Sequence, residues 1–243
     1  MSSLFFRDWR RLPVQSGVRP AYPTGEVMIP GFVCGLEREA ALLPAGSRVL
    51  CLGPGPRKAK KAAHRLLVKG CDALVSFGTA AGLAPGLAPG TLLLPERIVW
   101  QGGEAETDPR LLESLLPPEL RERAERGILY GVDEPLFGPS DKNSLFESSR
   151  AVAADMESHA IAVEAQACAV PFCVIRAVAD PAGRSVPPWI MGGVDKHGRT
   201  RVMPLLKALA VSPPRVAPVI RLARDAFAAE KTLRTALAGS RQG

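Results

Sequence analysis

Residues 48–82 run RVLCLGPGPRKAKKAAHRLLVKGCDALVSFGTAAG. Two short apolar runs, 48–52 and 73–77, flank a longer helical stretch at 57–69. Short runs of Val and Leu suit strands buried on both faces, and strand–helix–strand order predicts an α/β fold. The same alternation continues on both sides. Further apolar runs occupy 27–34, 91–95, 128–132, 151–154 and 172–178, and helices are predicted over 111–126 and 157–169. The expected architecture is a three-layer α/β/α fold around a central mixed, twisted sheet. Two helical stretches, 202–210 and 216–238, close the chain on either side of Pro213-Pro214. The first 25 residues show no period and are interrupted by Pro13, Pro20 and Pro23. The expected organisation is a basic arm at 1–25 and one domain over 26–243 with a basic helical tail.

Composition bounds the function. The 243 residues carry 31 Lys+Arg against 24 Asp+Glu, a formal charge of +7. That charge is uneven: residues 1–25 sum to +3, residues 196–243 to +8, and the middle to −4. Basic ends around an acidic body suit an anionic membrane surface, nucleic acid or plain solubility. Nucleic acid is disfavoured, because no helix-turn-helix or zinc finger is present and aromatics are only 5% of the chain. No apolar run approaches the roughly 20 residues of a membrane-spanning helix. The opening MSSLFFRDWRRLPVQ lacks the apolar stretch of a secretory signal, so a cytoplasmic protein is expected. Cys34, Cys51, Cys71, Cys168 and Cys173 fit no metal-ligand spacing and read as reduced thiols. No metal or organic cofactor is expected.

In such a fold, ligands gather where loops leave the C-terminal ends of strands. Those ends carry Glu39, then Gly53-Pro54-Gly55-Pro56, Gly78-Thr79-Ala80-Ala81-Gly82, Asp155-Met156-Glu157 and Arg176…Asp180. Small residues allow a ligand close to the backbone. Gly78–Gly82 lacks the Gly-Lys-Ser/Thr of a phosphate loop, and two prolines make 53–56 a poor pyrophosphate cradle. Separated carboxylates suit glycosidic cleavage through an oxocarbenium-like state. Glu39, Glu157 and Asp180 are the candidates, although acids at a helix start and an Asp before a Pro also have ordinary capping and turn roles. Arg176 shares the inward parity of Val178 and Asp180, and a buried arginine needs an anionic partner. Glu39 is the expected one.

These motifs together resemble the nucleoside phosphorylase/nucleosidase superfamily, of the purine nucleoside and uridine phosphorylase type. The carriers are Ser76-Phe-Gly-Thr-Ala-Ala-Gly-Leu followed by Pro89-Gly-Thr-Leu-Leu-Leu-Pro, then Asp155-Met156-Glu157, then Arg176-Ala-Val-Ala-Asp180. A narrower resemblance, on Asp-Met-Glu-Ser-His-Ala, Pro187-Pro188 and the tail from Pro213, is to the hopanoid-associated branch. Its members are implied to release adenine from adenosylhopane in bacterial hopanoid synthesis. The rival substrates are methylthioadenosine, adenosylhomocysteine or a general purine nucleoside.

The resemblance implies the site roles. Glu157 would bind the ribose hydroxyls and stabilise the cation, Met156 would pack on the sugar, and Asp180 would protonate the purine. Thr79 and Ala80 would line the substrate site, with Arg176 and Glu39 organising the nucleophile. Leu136 and Phe137 stand where a base-binding loop is expected, and core packing is an equal alternative for Phe137. Hexameric phosphorylases of the superfamily hold phosphate with two arginines whose positions here are Glu39 and Ser76. A carboxylate at that place repels phosphate and can activate water, which favours hydrolysis. Arg57, Arg38 and Thr79 are the alternative phosphate ligands, so phosphate stays a candidate co-substrate. The superfamily also implies dimers or hexamers, and a homodimer is expected here by analogy. In the tail, Val216, Val219, Ile220, Leu222, Ala223, Phe227, Leu233 and Leu237 form an apolar stripe expected to pack on the body. The alternative, suited to a membrane-resident substrate, is peripheral contact with the inner membrane face through Arg221, Arg224, Lys231 and Arg234.

Overall fold

The computed structural model describes residues 28–193, 195–199 and 216–238. The arm at 1–25 and the helix expected at 202–210 lie outside the described residues. The strands are β1 (Pro30–Cys34), β2 (Arg48–Cys51), β3 (Ala73–Gly82), β4 (Leu92–Leu93), β5 (Arg97–Trp100), β6 (Gly103–Glu106), β7 (Ile128–Gly131), β8 (Ala153–Asp155) and β9 (Phe172–Asp180). The helices are α1 (Glu37–Ala40), α2 (Pro56–Val68), α3 (Pro109–Leu115), α4 (Pro118–Arg123), α5 (Pro139–Ser149), α6 (Ser158–Ala167) and α7 (Val216–Ala238).

The sheet is mixed, as the sequence predicts. Its order is β2-β1-β3-β8-β7-β5-β6, with β9 pairing β3 and β4. The unit at 48–82 forms as strand, helix and strand, but β2 is an edge strand, with Arg48 exposed and Val49, Leu50 and Cys51 half-buried, rather than a strand buried on both faces. Gly55, at φ +100°, turns the chain, and Pro56 opens α2, where its missing N–H costs nothing. Ala59, Ala62, Ala63 and Leu66 form the buried stripe of α2, and α6 packs beside it on the same sheet face. The opposite face is covered by α3 and the C-terminal half of α7, through Leu111, Leu112, Ala229, Leu233, Ala236 and Leu237.

Several boundaries differ from the prediction. The helix expected over 111–126 is two short helices, because Pro117-Pro118 cannot continue α3 and Pro118 instead starts α4. The run at 91–95 pairs only as Leu92–Leu93, against Ala177 and Arg176. The β5–β6 hairpin and α5 are additional to the predicted elements. β3 does not stop at Phe77. It runs to Gly82, held by β9 as far as Ala81 and by β8 at Ala81–Gly82. The small residues 78–82 are therefore a strand surface over which charged side chains lie, rather than a loop. In α7 the expected apolar stripe is only partly covered: Leu233 and Leu237 are buried, whereas Ile220 and Phe227 stay exposed.

Candidate active site

The strand ends assemble one charged cluster. Glu39 comes from α1, directly after β1, and is buried. One of its oxygens accepts from Thr79 N–H at 2.9 Å and Thr79 Oγ1 at 2.8 Å, the other from Leu36 N–H at 3.0 Å. Glu157 occupies the N-cap position of α6, after β8. Its Oε1 accepts from Gly55 N–H at 2.9 Å, and Arg176 Nη2 lies 3.4 Å from its Oε2.

Arg176, 1% exposed, ties these ends together. Its Nε lies 2.7 Å from Asp155 Oδ2, an ion pair whose N–H is not aligned as a hydrogen bond. Nη2 donates to Ser76 Oγ at 2.8 Å and Nη1 to the Thr79 carbonyl at 3.0 Å. Ser158 Oγ donates to Asp155 Oδ2 and contacts Ser76 Oγ at 2.8 Å. The close ion-pair partners of Arg176 are thus Asp155 and Glu157; the expected Glu39, whose oxygens are taken up by Thr79 and Leu36, adds a weaker attraction. Glycine is required where these groups meet. At Gly78, φ +153°, a Cβ would stand 2.7 Å from both Arg176 Nη1 and Glu39 Oε2. At Gly35 it would stand 2.9 Å from Glu157 Oε1.

Among the described residues the cluster is acid-rich, with one guanidinium, Arg176, beside Glu39, Asp155 and Glu157. Burial pushes Glu157 from 4.5 up to about 7, against the opposing pull of Arg176. A carboxyl raised on folding contributes stability that is present below its unfolded value and lost as pH climbs through the folded one. Wild-type stability should therefore fall between about pH 4.5 and pH 7. Urea denaturation across that window should show a slope that is reduced in Glu157→Gln. An equal slope in both proteins would contradict this assignment.

Asp180 stands apart from the Arg176 cluster. It ends β9 just after a register shift, where Ala80 pairs Val178 but Ala81 pairs Asp180. This bulge re-aims the side chain, so the alternation counted from Arg176 does not extend to Asp180. Its carboxylate meets Lys142 Nζ at 2.7 Å and is 19% exposed. Burial raises its pKa, and Lys142 partly offsets the rise.

The other predicted residues are dispersed. Ala80 lies in the core. Met156 is half-buried between Asp155 and Glu157. Arg57 is exposed in the first turn of α2. Arg38 pairs with Glu230 of α7 at 3.3 Å. Leu136 packs on a satellite cluster of Leu83, Ala151 and Ala154. Phe137 is half-buried, and its carbonyl accepts from Val186 N–H at 2.8 Å, beyond Asp180. Sequence reasoning missed Lys142 and Ser158, and gave Asp155 only a helix-start role. The Asp155-x-x-Ser158 spacing of a capped helix start was the available signal for Ser158.

This fold has known counterparts. The chain belongs to the Phosphorylase superfamily, whose family description matches residues 37–209. Compared with the curated proteins, the sequence matches none. Among solved structures it is similar to the S-adenosylhomocysteine nucleosidase of Streptococcus pyogenes, with TM-score 0.65 and 16% identity over 89% of this chain and 97% of that one. The 5′-methylthioadenosine/S-adenosylhomocysteine nucleosidase of Neisseria meningitidis is similar at TM-score 0.64 and 17% identity, covering 87% of this chain and 97% of that one. The futalosine hydrolase of Helicobacter pylori gives TM-score 0.60 and 17% identity over 88% and 98%. At these identities the likeness shows the fold.

Proposed function

We propose that the protein hydrolyses the N-glycosidic bond of an adenine nucleoside, with adenosylhopane as the substrate. The observation that carries hydrolysis is the buried Glu39, bound to Thr79 beside Arg176 and Glu157. An acid-rich cluster favours a cationic sugar and disfavours a phosphate dianion. Among the described residues its one arginine is already engaged by Asp155 and Glu157, and Arg38 is engaged by Glu230.

The steps balance as follows. The C1′–N9 bond breaks, and its electron pair leaves with adenine. Asp180 passes a proton to the departing purine. Glu157 stabilises the developing ribosyl cation. Water adds to C1′ and gives its proton to Glu39. The test is adenine release by purified protein with and without phosphate. Free ribose-type product in phosphate-free buffer is expected; strict phosphate dependence with a ribose 1-phosphate product would overturn hydrolysis.

The lipid-linked substrate is supported by the hopanoid-type motifs and by the outer face of α7. Ile220 and Phe227 are 51% and 69% exposed there, beside exposed Arg221, Arg224, Lys231 and Arg234. None of the four cations has an ion-pair partner among the described residues. Such a face suits an anionic lipid surface. Co-sedimentation with vesicles containing anionic lipid is expected to fall when Phe227 and the four cations are replaced. The structural neighbours favour a second reading, methylthioadenosine or adenosylhomocysteine as substrate. Comparing kcat/KM on those nucleosides, futalosine and adenosylhopane discriminates between them.

A further inference from the structure

Two cations are fully buried among the described residues, Arg176 and Lys142. Arg176 belongs to the cluster above. Lys142 lies on α5, is 0% exposed, and has no part in that network. Its ammonium meets four acceptors: Asp180 Oδ2 at 2.7 Å and the carbonyls of Asp180 at 3.1 Å, Pro181 at 3.2 Å and Arg184 at 3.0 Å. All four belong to the turn that leaves β9. The turn is anchored from the other side by Arg184 Nε, 2.6 Å from Asp225 Oδ2 on α7.

Burying an ammonium costs several kcal/mol unless it is well paired. Three carbonyls alone would tether the turn. The fourth contact engages one carboxylate oxygen and leaves Asp180 Oδ1 with no hydrogen-bond partner among the described residues, on a side chain still open to solvent. We propose that Lys142 is a positioning residue for the glycosidic cleavage: from α5 it grips Asp180 Oδ2 and so presents Oδ1 to the leaving base. This rests on Asp180 being the acid of the reaction proposed above. The charged groups acting on Asp180 are Lys142 and, from α7, Asp225, itself paired with Arg184. Burial helps Asp180 hold a proton, and the ammonium keeps it acidic enough to give that proton up.

The test combines Lys142→Met, Lys142→Arg and a double-mutant cycle with Asp180→Asn. Lys142→Met is expected to lower kcat by about 10- to 100-fold with KM changed by less than about 3-fold. Lys142→Arg, which keeps the cation, should recover part of the loss. The Asp180 carboxyl, followed by carbon NMR, should titrate at higher pH in Lys142→Met. In the Asp180→Asn background Lys142→Met should cost nothing further. If Lys142→Met does not fold, Lys142→Gln gives the same comparison, because it keeps a donor for the carbonyls and drops the charge. Unchanged kcat, or an equal loss in both backgrounds, overturns the positioning role. Wild-type protein that releases adenine from no nucleoside overturns the reaction itself, an outcome visible before any variant is compared.

Discussion

Asp180→Asn is expected to reduce adenine release by about 10²- to 10⁴-fold while the protein stays folded, because a general acid contributes in that range. Asparagine keeps an oxygen for the Lys142 ammonium, which also retains the carbonyls of Asp180, Pro181 and Arg184. The turn therefore keeps its tether and loses only the group proposed to carry the proton. The loss should appear in kcat, since the proton moves in the transition state and the ground-state contacts survive. A substrate whose leaving group departs without protonation separates this from a loss of shape. On 4-nitrophenyl riboside the variant should approach wild-type turnover. Equal losses on both substrates would mean that Asp180 orders the site without serving as the acid.

The fold was legible in the sequence because its signals are local. The apolar runs at 48–52 and 73–77, with a helix between them, already specify a parallel unit, and Pro56 marks the helix start. The pieces that were missed have weak signals. β5 and β6 form a hairpin with a single buried residue in each strand, the cross-strand pair Ile98 and Ala105. α5 buries only Lys142 as a full residue, so it has no apolar period to read. The break in the helix expected over 111–126 was legible in Pro117-Pro118 and went unread.

The presence of Glu39, Glu157 and Arg176 at the strand ends was legible by type and position, but their partners were not. Parity placed Arg176 inside and identified its need for an anion. It could not choose among Glu39, Asp155 and Glu157, because that choice depends on how α1 and α6 leave the sheet. The bulge beside Asp180 defeats parity outright, since one extra residue reverses every later side chain. Lys142 was invisible for a related reason. A lysine on a polar helix reads as solvated, and only the fold brings the turn at 180–184 over it.

Arg176→Met should have the largest effect on stability, a loss of about 3–5 kcal/mol, because it leaves buried carboxylates without their counter-charge. Methionine fills much of the volume, so the cost comes from charge and hydrogen bonding more than from a cavity. The guanidinium joins Asp155 of β8, Ser76 and Thr79 of β3, and Glu157 at the start of α6. Without it, Asp155 and Glu157 repel each other in a site that also holds Glu39. Acid should relieve that repulsion. Glu157 is already held up to about 7, and removing Arg176 takes away what lowers it, so the folded-state value moves further from the unfolded one. A carboxyl raised in this way adds stability at low pH that disappears as pH rises through its folded value. The stability gap between wild type and Arg176→Met, read by urea denaturation, should therefore be smaller near pH 5 than near pH 8. Arg176→Lys should fall between them, keeping the charge but losing the fork that reaches Ser76 and Thr79 together. A gap independent of pH would assign the cost to lost packing and hydrogen bonds rather than to stranded charge. In either case the residue that gathers the clustered carboxylates also pins the strand ends together.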